Sequence, residues 1–209
     1  MGKLVVISSP ASQNGMTTTT RIKQELSITG SSYDTLLQSK IDEATSDIEA
    51  HCGRTFSRAT LTETIFPAGQ DDYFVLDRWP VVSITSITVD DVALSSSDYR
   101  ADLDNGILWR LDSSGYVIPW CWCKEIVIVH VAGYLMPPES GRNLPNALEA
   151  GCIELVKSFW LSRSRDTMVK SVDVPGVITE EYWVGAVGEE GDLPPSVQEK
   201  VDPFRRSSV

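Results

Sequence analysis

The sequence predicts an α+β protein, a small antiparallel helical bundle with an inserted antiparallel β domain and an extended C-terminal tail. Two amphipathic helical patterns lie far apart in the chain, one around Ile41 and one around Leu155, with a β-rich stretch between them. The clearest strand is Val81–Val89, which follows Leu76-Asp77-Arg78-Trp79-Pro80. It carries Val82, Ile84, Ser86 and Thr88 on one face and Val81, Ser83, Thr85, Ile87 and Val89 on the other, with Asp90-Asp91 to turn it.

The remaining elements follow in order. Leu4 to Ile7 is a short strand-like arm within residues 1–16, expected to pair with something else, and Ser8 to Gly15 is a loop by composition. A first helix starts among Thr17 to Thr20, whose hydroxyls can cap free N–H groups, and runs through Ile22 and Leu26 to a break near Gly30. Ser31 or Ser32 caps the second helix, where Leu37, Ile41, Ala44, Ile48 and Cys52 recur at spacings of four and three and Gly53 provides the stop. Burying that stripe yields on the order of 10 kcal/mol, but ordering each residue costs about 1–2 kcal/mol. The helix therefore needs a partner.

That partner begins near Pro145, with Leu148, Cys152, Leu155, Val156, Phe159 and Trp160 as its apolar stripe and Arg163 and Arg165 at its end. The bundle is thus expected over residues 17–60 and 136–170 and the β domain over 61–135. Within the latter, strands are read at Leu61 to Phe66, Tyr73 to Leu76, Val81 to Val89, Ile107 to Leu111 and Glu125 to Val131. Residues 171–209 read as an extended tail with little core of its own, ending in a short helix over Pro195 to Val201.

Composition narrows the function. A 42% hydrophobic content suffices for a packed core, and the net charge of −11 argues against a surface that grips nucleic-acid phosphates. It does not argue against a protein that DNA slides past. The apolar run Leu4 to Ile7 is too short for a signal peptide or a membrane span. Cys52, Cys121, Cys123 and Cys152 are scattered and read as reduced thiols.

Candidate chemistry is sparse. Cys121 and Cys123 share a strand face and His130 follows, but the paired spacing of structural zinc is missing, so small core or edge residues are the better reading and no metal is expected. A Cys–His nucleophile would need His51 or His130 to meet a thiol in a cleft with an orienting acid, which nothing local suggests. Asp71-Asp72, Asp90-Asp91 and Glu189-Glu190 read as solvated turn charge, and no glycine-rich phosphate loop occurs. No catalytic residue and no cofactor are expected. Trp109, Trp120 and Trp122 with Tyr116 suggest an aromatic sheet core or, alternatively, a β-sheet module that binds a glycan or protein through Trp120 and Trp122.

The ordered set of pieces resembles the head-tail connector proteins of tailed bacteriophages, also called head-completion or adaptor proteins. The pieces are Leu4 to Ala11, Tyr33 to Ala44 with Ile48-Glu49 and Gly53-Arg54, Leu76 to Val81 with Val89, Asp98-Tyr99-Arg100, Gly106-Ile107-Leu108, Val131 to Tyr134, Leu144-Pro145, and Arg163 to Asp166. The first helix departs from the pattern, keeping only Arg21 and Lys23 beside Gln24, and the chain after Ser171 matches little. The resemblance implies a non-enzymatic virion protein made in the host cytoplasm. It would form a homo-oligomeric, twelvefold ring beneath the portal protein, extend the DNA channel without sequence-specific binding or membrane contact, and offer a platform to the tail or next connector. It also implies that the C-terminal segment engages the portal, through Tyr182, Trp183, Leu193, Val197, Val201, Phe204, Arg205 and Arg206.

Overall fold

The computed structural model describes residues 2–11, 14–120, 123–163, 171–174, 178–181 and 193–206. Helices and antiparallel sheets are both present. In chain order the elements are β1 (Gly2–Ser9), α1 (Thr19–Leu26), α2 (Asp34–Cys52), β2 (Ala59–Phe66), β3 (Tyr73–Val75), β4 (Val81–Val89), β5 (Val92–Ala93), β6 (Tyr99–Asp102), β7 (Ile107–Leu111), β8 (Val117–Ile118), β9 (Ile126–Ala132), α3 (Asn146–Ser162), β10 (Ser171–Val174), β11 (Ile178–Glu181) and α4 (Pro195–Val201), with a 3-10 turn over Asp202–Phe204. The chain divides into two compact units, one of Met1–Gln13 with Thr55–Leu135 and the other of Asn14–Arg54 with Met136–Val209.

In the first unit a five-stranded antiparallel sheet runs β1-β2-β9-β4-β5, and a second sheet runs β3-β7-β6 with β8 also on β7. Both sheets feed one core, in which Leu61, Ile65, Ile87, Ile126 and Ile128 meet Phe74, Leu76, Leu108 and Trp120. The N-terminal segment, expected to pair elsewhere, is the edge strand of this chain's own sheet, with Leu4 opposite Thr64 and Val6 opposite Thr62. The stretch Leu76 to Val81 passes from the second sheet to the first and is held at each step. Leu76 N–H donates to the Gly106 carbonyl, Asp77 N–H to Glu63 Oε1, Arg78 Nη1 to the Ser57 carbonyl and Val81 N–H to the Leu103 carbonyl.

Strand β4 spans the predicted residues but not with the predicted alternation. Its register against β9 slips between Val81 and Ser83 and again between Ile84 and Ser86. Each slip is a bulge that inserts one extra residue. Val81, Ile84, Ile87 and Val89 therefore face Ala132, His130, Ile128 and Ile126 in turn, an inward spacing of three, three and two instead of a strict two. Ile84, assigned by simple alternation to the face opposite Ile87, shares its side. Asp90 and Asp91 make the turn after it with φ of 47° and 66°, values that aspartate tolerates better than most residues.

In the second unit α1 is capped by the Thr18 hydroxyl, which accepts from Arg21 N–H at 3.2 Å, and it ends at Ser27 in the left-handed region, before Gly30. The capping role expected of Ser31 or Ser32 is not filled by either side chain. Tyr33 is the N-cap of α2, Ser31 contributes only its carbonyl to Asp34 N–H, and Asp34 supplies the first-turn negative charge that suits a helix N-terminus. Gly53, at φ 62°, closes α2. Leu37, Ile41, Ala44 and Ile48 of α2 are fully buried, as are Leu148, Cys152 and Leu155 of α3, while Phe159 is half-buried.

Helices α2 and α3 run antiparallel. Tyr33 meets Trp160 edge-on with ring centroids 5.0 Å apart, Lys40 lies over the Phe159 ring at 5.2 Å, and the Thr45 hydroxyl lies 3.9 Å from Cys152 Sγ. As numbers rise on one helix, their partners fall on the other. Leu155→Ala is expected to cost roughly 2–5 kcal/mol, because the closed seam leaves a cavity that neighbours cannot fill. Urea titration of the purified protein measures it, and a loss under about 0.5 kcal/mol would be incompatible with this packing.

Candidate interaction surfaces

The last described segment, 193–206, was expected to lack a core, and here the structure differs. Leu193, Val197 and Val201 are buried, and a Cβ on Gly151 of α3 would lie 3.1 Å from Val201 Cγ1 and 3.6 Å from Val197 Cγ1. Even a methyl group at 151 would require the Val201 side chain to give by a few tenths of an ångström. Spacing of four between these three apolar residues, just after Pro194-Pro195, is the sequence signal for this helix and its buried face. Lys200 Nζ bonds Glu154 at 2.5 Å, and Ser196 donates to the same carboxylate. Those two contacts hold the Glu154 carboxyl below its usual range. Farther on, Asp202 pairs with His51 Nε2 at 2.8 Å and Arg206 N–H donates to the Cys52 carbonyl at 2.8 Å.

Three of the residues expected to contact a partner are thus turned into their own helical unit, because a helix this short is stable only when its apolar face is covered. Arg205 and Arg206 are exposed and Phe204 is half-buried. Tyr182 and Trp183 lie outside the described residues. At the other end of the α2–α3 seam, Tyr33, Leu36 and Leu161 are exposed, and the Trp160 ring that meets Tyr33 is covered by the Arg163 guanidinium at 3.7 Å. Helices α1 and α3 flank a polar cleft where Arg142 Nη1 binds Glu149 Oε2 at 2.5 Å and the Thr17 hydroxyl donates to Glu149 Oε1 at 3.4 Å. Glu149 is thereby engaged by both groups.

The β unit holds a buried polar cluster that the sequence reading missed. Glu63 is fully buried on the core face of β2, between Leu61 and Ile65. Lys3 Nζ reaches Glu63 Oε2 at 2.6 Å and also donates to the Val75 carbonyl at 3.1 Å; His130 Nε2 lies 3.2 Å from Glu63 Oε1. Burial pushes the Glu63 carboxyl up, with Lys3 and the Asp77 amide opposing. Burial, assisted by Lys3, pushes His130 down to about 4. A carboxylate in phase with Ala59, Leu61 and Ile65 was legible as an anomaly, but its partners were not.

His130 is therefore a fully buried core residue beside a carboxylate. Cys121 and Trp122 lie outside the described residues, and Cys123 is half-buried. Among the described residues no group of three or more His, Cys, Asp and Glu side chains is placed to hold a metal. Burial raises the thiols of Cys52 and Cys152 to about 11 and about 12, which keeps them protonated at neutral pH and poor as nucleophiles. Trp120 cannot stack on a ligand. It is fully buried against Phe74, with ring centroids 5.2 Å apart, and its Nε1–H donates to the Leu108 carbonyl at 3.3 Å. A large ring fills the space between two sheets better than any smaller side chain, which overrides the binding-face reading for Trp120.

Comparison with known proteins fits this geometry. Residues 16–90 match the family model described as phage gp6-like head-tail connector protein. Among solved structures, a chain from the neck of an empty gene transfer agent particle, computed with C6 symmetry, is 17% identical with a TM-score of 0.62, covering 99% of this chain and 97% of that one. A chain from the neck of the native particle, computed with C12 symmetry, is 15% identical at the same TM-score and coverage. A chain from the virion of the native particle is 14% identical, again at 0.62. No curated protein matches the sequence. The chain is thus similar to the head-tail connector family over residues 16–90, from the first helix through β4, and shares the fold of the neck chains over nearly its whole length.

Proposed function

We propose that this protein is a structural head-tail adaptor of a virion: copies assemble as a ring beneath the portal, extend the channel that DNA traverses, and present a docking platform to the tail or next connector. One observation carries the reading. The fold extends over 99% of the chain onto neck chains of particles computed with C6 and C12 symmetry. The net charge of −11 supports it, since an acidic wall repels phosphates and lets DNA pass without sticking. The expected role is mechanical and positional, with no bond-making step.

Portal contact is assigned to the C-terminal segment, in a form adjusted to the fold. Leu193, Val197 and Val201 seat the segment, leaving Phe204, Arg205 and Arg206, together with Tyr182 and Trp183, to meet the portal. Truncation after Ser171 is a poor test because it would strip α4 from α3. The double variant Phe204→Ala/Arg205→Glu is expected to weaken binding to the purified portal by about tenfold or more while changing the melting temperature by no more than about 2 °C. Negative-stain images of the protein alone and mixed with portal test the ring itself. A protein that stays monomeric and ignores the portal in both conditions sinks the proposal.

A further inference from the structure

We infer that the exposed edge of β1 is an assembly surface, and that its occupant is the open β4 edge of a second copy of this chain, so that the five-stranded sheet continues from one copy to the next. This rests on the ring reading above and names the contact that would build it.

Among the described residues, strand β1 is an eight-residue edge strand bonded on one side only, to β2. Long open edges invite pairing with another chain, and monomeric proteins usually guard them with charge, proline or a bulge. Lys3 is the only charged residue in β1, and it is turned onto Glu63 and the Val75 carbonyl, so it does not guard the edge. Leu4, Val6 and Ile7 are 55%, 50% and 51% exposed.

At the other side of the same sheet, β5 covers β4 only at Thr88 and Val89. Val81 N–H is taken by the Leu103 carbonyl and the Ile87 carbonyl by Leu94 N–H, which among the described residues leaves 82–86 as an open stretch with Val82 46% exposed. The two bulges of β4 fall in this stretch. They make it a poor template for an arbitrary strand and leave it to a partner of matching shape.

Charge selects the pair. Two copies of a chain with a net charge of −11 repel, so a contact between them favours strips without like charge. Leu4 to Gln13 and Val81 to Val89 contain no ionisable side chain. Strand direction fits as well. Along β1-β2-β9-β4 every pairing is antiparallel, so β1 and β4 point in opposite directions. Placing copies around an axis parallel to the strands would bring β1 of one copy antiparallel to β4 of the next, and a contact between two different edges generates closed rings.

Hydrogen exchange measured by mass spectrometry on the full-length protein, dispersed and assembled as a ring, tests the contact. Peptides covering 2–9 and 81–89 are expected to exchange about tenfold or more slowly in the ring. Leu4→Glu/Val6→Glu is expected to keep the melting temperature and to abolish rings, because it puts like charge on the strip. Rings that form with unchanged exchange at 2–9, or that form normally from the double variant, overturn this inference and leave the adaptor reading standing. A wild-type protein that forms no ring, alone or with portal, overturns both.

Discussion

Gly133→Ala is expected to destabilise the β unit by about 3–5 kcal/mol. Gly133 follows β9 with φ of +101°, a conformation that side chains rarely adopt. An added Cβ would stand 2.6 Å from the Ser57 carbonyl oxygen and 2.8 Å from that of Phe56. Both obstacles are backbone, so neither can rotate away. They are also held in place: Gly133 N–H donates to the Pro80 carbonyl, Tyr134 N–H to the Phe56 carbonyl and Arg58 N–H to the Tyr134 carbonyl, all at 2.8–2.9 Å. Relief requires breaking that seam. Urea unfolding followed by tryptophan fluorescence measures the loss, and a variant within about 1 kcal/mol of the parent would show that the seam yields more easily than its bonds imply.

Lys3→Met is expected to cost about 3–5 kcal/mol at neutral pH, the usual consequence of leaving one member of a buried ion pair alone. Lys3 is 21% exposed at its side chain and Glu63 is fully buried, so removing the lysine strands the carboxylate, not the reverse. The pH dependence follows from the direction of each shift. Glu63 is already raised by burial, and Lys3 is the largest opposing influence, so its removal raises the carboxyl further. A raised carboxyl favours the fold below its unfolded value of 4.5 and loses that advantage as pH rises through the folded value. The deficit of Lys3→Met should therefore shrink as pH falls towards 4.5.

His130 acts with the opposite sign. Its folded value of about 4 lies below the unfolded 6.5, so its contribution is present above pH 6.5 and is lost as pH falls towards 4. In the parent this loss is on the order of 3 kcal/mol, offset in part by proton uptake at Glu63. Because Lys3 is also the second cause holding His130 down, Lys3→Met should flatten the acid limb of the stability profile. Chemical denaturation at several pH values between 4 and 8 measures both effects. A variant whose deficit stays constant across that range would mean that Lys3 and Glu63 do not interact in solution.

The charge cluster and the bulged strand share a lesson about legibility. Leu37, Ile41, Ala44 and Ile48, and Leu148, Cys152 and Leu155, were readable as stripes because helix period and burial coincide there. Strands were readable where β-branched runs are bounded by turns. The inward face of β4 was not, because two bulges change its phase and a bulge depends on the partner strand. The role of Trp120 was open for the same reason: an indole suits a core or a binding face, and Phe74 and Leu108, both remote from any local pattern, decide which. The buried face of α4 was readable from Leu193, Val197 and Val201, but spacing alone does not say whether it meets this chain or another.

What the amino-acid order determined by itself was the α+β class, the two helical stripes, the strand-forming runs and a charge unsuited to gripping DNA, since each follows from interactions among near neighbours or from a sum over the chain. Tertiary structure alone decided that β1 is an edge, that Lys3, Glu63 and His130 share one buried site, and that α4 covers Gly151. Those outcomes join residues tens of positions apart, and only the folded backbone sets the distances over which a carboxylate, a ring or a missing Cβ can act.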